Sequence, residues 1–168
     1  MSQLTANGLM DKFVTTLSPE TDIHTAMETL LKHKLSGAPV VDSNKSLVGI
    51  LSEKDCLKVV MASALERLPE GKVRDYMTTD VVTLSPGSTI YDIVNYFLKT
   101  PFRRLPVVEE GAKLVGMVSR TSTVKAIASM RDNPELYGTP DLSVDDEGTG
   151  VDSAMRRARG QASSRRPR

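Results

Sequence analysis

Tryptophan is absent from this 168-residue chain, and Phe and Tyr supply only 4% of it. A surface that stacks nucleic-acid bases needs several aromatic rings, so their scarcity argues against one. Cysteine occurs once, at Cys56. That excludes a disulfide framework and a paired-cysteine metal site, and it suits a reducing compartment, so a cytoplasmic protein is expected. Net charge is lacking too. Against 22 Lys and Arg stand 21 Asp and Glu, leaving +1, too little to steer the whole molecule onto nucleic acid or an anionic membrane. No stretch approaches the ~18 consecutive apolar residues of a membrane span. The opening MSQLTANGLM has neither a basic start nor an apolar run, so it does not read as a signal peptide.

The patterns of catalysis are also missing. There is no phosphate-cradling G-x-x-x-x-G-K-[ST] or G-x-G-x-x-G loop. His24 and His33 have no Cys or His partner at metal spacing and read as exposed helix residues. Nothing sets a serine beside a His base held by an acid. The expectation is therefore a protein that is not an enzyme and that holds neither metal nor cofactor.

What the chain does have is a repeat. Residues 10–58 fall without a gap on residues 77–125, an offset of 67. Val14/Val81, Leu17/Leu84, Ser18/Ser85, Pro19/Pro86, Ile23/Ile90, Pro39/Pro106, Leu47/Leu114, Gly49/Gly116 and Ser52/Ser119 are identical pairs. A gap-free internal repeat means two copies of one structural unit. Two like units packed together make clefts of the kind that hold small ligands.

Each unit reads as strand, helix, strand, strand, helix, a mixed α/β layer fold (β-α-β-β-α) whose two copies are expected to pack about a pseudo-twofold axis. In the first, Val14–Leu17 favours a strand. Ile23, Ala26, Met27, Leu30 and Leu31 then recur on one face of a helix, which Thr21 or Asp22 can cap. Pro39–Val41 and Leu47–Leu51 read as strands around an Asp42–Lys45 turn. A second helix is expected from Ser52 to about Leu68, stopped by Pro69-Glu70-Gly71. Its apolar arc, with Leu57, Val60, Met61, Ala64, Leu65 and Leu68 on one side and Cys56 and Val59 alongside, is wide enough for part of it to face another chain. The second unit repeats this with Val81–Leu84, Ile90–Leu98, Leu105–Val108, Leu114–Val118 and a helix from Ser119 to about Met130. The eight methionines read as fillers of core gaps. The expected division is 10–68, 74–130, and a tail over 131–168 that is acidic, then Arg-rich, and expected to be disordered.

"TLSP" ahead of an amphipathic helix, "SGAPVVD" and "RRLPVVE" at the middle strands, and "LVGILSEKD" and "LVGMVSRTS" at the unit ends resemble, taken together and in register, a tandem pair of CBS domains, or Bateman module, over about residues 10–130. The resemblance implies a regulatory module with no catalytic chemistry. It implies an adenine nucleotide or adenosyl ligand (AMP, ADP, ATP or S-adenosylmethionine) bound between the units, a homodimer, and a regulated protein partner that the sequence does not identify.

Within that resemblance Asp55 grips a ribose and Ser52 contacts ribose or phosphate. A carboxylate can accept from both ribose hydroxyls, although Ser52 and Asp55 also have the spacing of a helix-capping pair. The second unit has Ser122 where that Asp belongs, which points to one good site per chain. Arg103 and Arg104 offer a planar fork for phosphate, with the alternative that they are plain surface arginines. Thr16, Gly37 and Ala38 would line the adenine. Two rival readings stay open: a ligand-free dimerisation plate, and a nucleic-acid-associated protein acting through its terminal arginines.

Overall fold

Every regular element of the first repeat returns 67 residues later in the second. The computed structural model describes residues 4–63 and 70–130. Helix α1 (Ala6–Leu9) is matched by α4 (Val73–Tyr76), α2 (Ile23–Lys32) by α5 (Ile90–Lys99), β1 (Gly37–Val41) by β3 (Arg104–Val108), β2 (Leu47–Ser52) by β4 (Leu114–Ser119), and α3 (Glu53–Ser63) by α6 (Arg120–Met130). The strands form two separate two-stranded sheets, β1-β2 and β3-β4.

Local chemistry sets each boundary. Asp22 caps α2 by accepting from the His24 and Thr25 N–H groups. Thr89 and Asp92 cap α5 reciprocally. Asp42 closes the β1–β2 turn by accepting from Asn44 and Ser46, and Lys45 takes the left-handed backbone there, φ 62°. Its repeat-related residue Ala112 does the same, also at φ 62°. Pairing in β1-β2 is antiparallel, Gly37 opposite Ser52 and Ala38 opposite Leu51, with an irregularity between Val40 and Val41.

The chain divides into two bodies, and the division is not a simple cut. The first body is Phe13–Val81 with Glu110–Leu114. Among the described residues, the second takes those up to Lys12, Val82–Glu109 and those from Val115 to Met130. Each short helix therefore belongs to the body other than the repeat it precedes in sequence. In the first body α4 docks through Val73 N–H to Thr21 O and Arg74 N–H to Pro19 O, and Lys72 and Arg74 both pair with Glu20. In the second, α1 docks through Ala6 N–H to Ser88 O and Asn7 N–H to Pro86 O.

The two cores use the same positions with traded sizes. Leu17, Ala26, Leu30, Ala38, Val40 and Val73 are buried in the first body; Leu84, Ile93, Phe97, Leu105, Val107 and Ala6 occupy the related places in the second. Ala26, Leu30 and Ala38 become the larger Ile93, Phe97 and Leu105, while Val73 becomes the smaller Ala6. At these positions the second core is the bulkier one, and each core is packed by its own set of side chains.

Three local expectations are corrected. Val14–Leu17 and Val81–Leu84 are not strands. Each contributes one parallel bridge, Leu17 to Val40 and Leu84 to Val107, because only the last residue of each run reaches a neighbouring strand. Ser52 and Ser119 end β2 and β4 instead of starting the helices that follow. Leu31 is 73% exposed; it lies at the edge of the α2 stripe, whose centre is Ile23, Ala26 and Leu30. The methionine expectation holds for Met117 and Met130, which are buried, and fails for Met61, which is exposed. The expected end of the second helix near Leu68 and the tail beyond Met130 lie outside the described residues.

Candidate functional site

The β2–α3 junction gathers several polar groups around one buried carboxylate. Ser52 ends the strand and Asp55 sits in the first turn of the helix. The Ser52 N–H and hydroxyl both donate to Asp55 Oδ2, at 3.0 and 2.6 Å, and Ser52 Oγ accepts from the Asp55 N–H at 3.2 Å. Asp55 Oδ1 accepts from Lys58 Nζ at 2.7 Å and from the Thr78 hydroxyl at 3.4 Å.

Capping geometry alone does not mark this site, since Thr89 and Asp92 repeat it at α5. Asp55 is distinguished by burial and by its second oxygen. It is one of two buried polar residues among those described, 3% exposed, and Oδ1 draws two donors from outside the cap. Burial by itself would push the Asp55 carboxyl up. The hydrogen bonds from Lys58 and Ser52 outweigh it and hold the group below the ordinary aspartate range. Asp55 is thus a buried anion at a helix N-terminus, where the peptide dipoles also favour negative charge.

The repeat-related junction keeps the cap and drops the charge. Ser119 N–H and hydroxyl donate to Ser122 Oγ, both at 3.1 Å, and the Ser122 N–H donates back to Ser119 Oγ at 3.0 Å. A serine oxygen can satisfy a backbone donor but cannot grip a diol with two anionic oxygens.

Gly37 belongs beside this junction. It pairs with Ser52 across the sheet, and a Cβ there would stand 3.1 Å from the Leu51 carbonyl and 3.2 Å from Ser52 Cα. Ala38 is buried in the core, so only its backbone can meet a ligand. Thr16 is exposed in the extended segment just before Leu17. Arg103 and Arg104 belong to the second body. Both are exposed at the start of β3, and the Arg103 carbonyl accepts from the Arg120 N–H. The structure thus gathers Ser52, Asp55 and Gly37 in one place in the first body, with the arginine pair on the other body.

Sequence reasoning missed Lys58 and Thr78. The i, i+3 spacing of Asp55 and Lys58 was a readable signal; Thr78 reaches the site from 23 residues downstream and left none. Cys56 is no nucleophile candidate: burial, and then the Asp55 charge, push its thiol up. Among the described residues no group of three or more His, Cys, Asp and Glu could hold a metal ion, and no helix is long and apolar enough to cross a membrane.

Comparison with known proteins fits this geometry. The family model of the CBS domain matches residues 6–62 and again 73–129. An uncharacterized Methanocaldococcus jannaschii protein, MJ1225, is 35% identical over 122 residues, covering 72% of this chain and 42% of its own length. The chloroplastic CBS domain-containing protein CBSX2 of Arabidopsis thaliana is 30% identical, with 71% of this chain and 60% of its own length covered. The chain therefore spans less than two thirds of either relative. A solved structure of CBSX2 in complex with AMP superposes with a TM-score of 0.67 at 29% identity, covering 76% of this chain and 98% of that one. With both repeats matched by the family model and the fold shared with such a structure, the chain belongs to the CBS-domain family and carries two copies of the domain in tandem.

Proposed function

We propose that this chain is a regulatory module that binds an adenine nucleotide or adenosyl ligand, of the AMP, ADP, ATP or S-adenosylmethionine class, and passes its bound state to a protein partner. Asp55 and Ser52 hold the ribose. Arg103 and Arg104 hold phosphate. Thr16 and the backbone of Gly37 and Ala38 line the base. The observation that carries this reading is the buried, ionised Asp55 beside a glycine-bared strand end, in a chain whose relative CBSX2 has been solved with AMP. Its uncharged counterpart at Ser122 supports one strong site per chain.

A ligand shifts such a module only by its differential affinity for two arrangements. The module works as a homodimer and, with its single thiol, in a reducing compartment such as the cytoplasm. Its role is to bind a signal without catalysis.

The test is a thermal-shift panel of AMP, ADP, ATP and S-adenosylmethionine on wild type, Asp55→Ala and Arg104→Ala. Ligand at 100 times Kd adds about 2.7 kcal/mol, or roughly 5–10 °C in Tm for a chain of this size. Both variants are expected to lose most of that gain. A wild-type Tm that no member of the panel moves would leave the dimerisation-plate reading in its place.

A further inference from the structure

We propose that Lys58 is a removable latch on the Asp55 carboxylate, so that ligand binding there is an exchange in which a ribose hydroxyl replaces the lysine ammonium. The proposal rests on the reading of Asp55 as the ribose grip and adds a regulating residue to it.

A carboxylate has about four lone-pair sites, and those of Asp55 are all taken. Oδ2 receives the Ser52 N–H and hydroxyl, and Oδ1 receives Lys58 Nζ at 2.7 Å and the Thr78 hydroxyl at 3.4 Å. A diol brings two O–H donors and must displace some of these.

The four are not equally replaceable. Losing the Ser52 donors would undo the helix cap and strand a half-buried peptide N–H. Thr78 at 3.4 Å is a long, weak bond, and its departure alone leaves the ammonium still seated on the same oxygen. The Lys58 side chain is 61% exposed, against 5% for Asp55. Its ammonium passes to water as the incoming hydroxyl takes its place on Oδ1, so the buried carboxylate is not left without a donor there. Lys58 is therefore the donor that leaves. Three residues along the same helix, it stays tethered to the site and returns when the ligand departs.

The repeat-related junction lacks the pair. Lys125 keeps the lysine, but Ser122 three residues before it has no charge to latch.

Two consequences are measurable. The latch lowers affinity for any diol ligand. It also makes binding improve with ionic strength, because salt screens the Lys58–Asp55 attraction. Adenosine is the suitable probe: it carries the diol and no phosphate, so removing a cation acts on its binding only through the latch.

Calorimetric titration of adenosine into the full chain, at low and high salt, tests the proposal on wild type, Lys58→Met, Lys58→Arg and Asp55→Ala. Lys58→Met keeps the apolar stem and is expected to bind about three- to fivefold tighter than wild type, with the salt dependence gone. Lys58→Arg keeps a cation and is expected to behave as wild type. Asp55→Ala is expected to lose binding. Equal or weaker binding by Lys58→Met, with Asp55→Ala still inactive, overturns the latch and leaves the ribose reading standing. Asp55→Ala binding as well as wild type, or adenosine binding to neither wild type nor Lys58→Met, overturns the ribose reading and the latch with it. Should Lys58→Met fail to fold, the wild-type salt series decides: affinity that does not rise with salt overturns the latch.

Discussion

Gly49 lies directly beneath Met77. A Cβ on Gly49 would stand 2.7 Å from the Met77 sulfur and 2.9 Å from the Thr78 carbonyl oxygen. The same relation recurs between Gly116 and Met10, at 2.6 Å from the sulfur and 2.9 Å from the Asp11 carbonyl. In both bodies the crossing segment is pinned by paired backbone bonds, Ile50 with Thr78 and Met117 with Asp11. The glycine of the repeated "LVG" motif is thus there for close approach.

Gly49→Ala is accordingly expected to destabilise the protein by about 1–3 kcal/mol, the usual cost of overpacking a tight contact. The methionine can swing aside, but the carbonyl is held by its ladder bonds. A lowered urea midpoint at unchanged m-value is the expected result. A midpoint equal to that of wild type would mean the two segments do not lie this close.

The exchange of short helices makes a second prediction. Ala6 is fully buried among Leu84, Ile93 and Leu105, and Ile90 N–H donates to the Leu4 carbonyl. Deleting residues 1–12 should therefore loosen the second body, though the segment precedes the first repeat in sequence. Amide protection in β3 and β4 is expected to fall tenfold or more, about 1.4 kcal/mol, while β1 and β2 keep theirs. Loss confined to β1 and β2 would contradict the division of the chain.

That exchange shows where the sequence was readable and where it was not. The offset of 67 and the pairs Leu17/Leu84 and Gly49/Gly116 located every long element, because burial repeats at the same spacing in both copies. Helices α1 and α4, at four residues each, are too short for helical periodicity to register. The partner of Leu17 on a neighbouring strand, which decides between strand and single bridge, is a tertiary fact. At the site, the Ser52–Asp55 cap was legible from its spacing. The burial of Asp55 was not, since it depends on a segment arriving from Thr78.

Asp55 also gives the stability a pH dependence of known sign. Its folded pKa is held below the ordinary value of about 3.9. The stabilisation is fully present above that value and is lost as pH falls through the lower folded pKa. Asp55→Asn, which removes the anion, is expected to be less stable than wild type at pH 7 by about 0.5–2 kcal/mol. The two should converge in acid. Urea midpoints of both proteins between neutral pH and pH ~2.5 check this; a gap that stays constant through the acid range would show that Asp55 does not titrate as described.

The outer faces of α3 and α6 supply the last prediction. Leu57 and Met61 are 67% and 77% exposed, and Val124, repeat-related to Leu57, is 63% exposed, with Ile127 at 37%. Both helices thus turn apolar side chains to the surface, Leu57 and Val124 at the same repeat position, and Leu57 and Met61 lie on the α3 arc whose width suggested a second chain. If these faces meet a second copy, replacing Leu57 and Met61 together by Lys puts like charges into the contact. The stability of a single chain should scarcely change, since exposed substitutions usually stay within about 0.5 kcal/mol. Sedimentation should move from dimer to monomer, and the wild-type Tm, but not the variant's, should rise with protein concentration. A wild type that sediments as a monomer throughout, or a double variant that remains a dimer, would place self-association elsewhere and leave these side chains as ordinary exposed apolar surface.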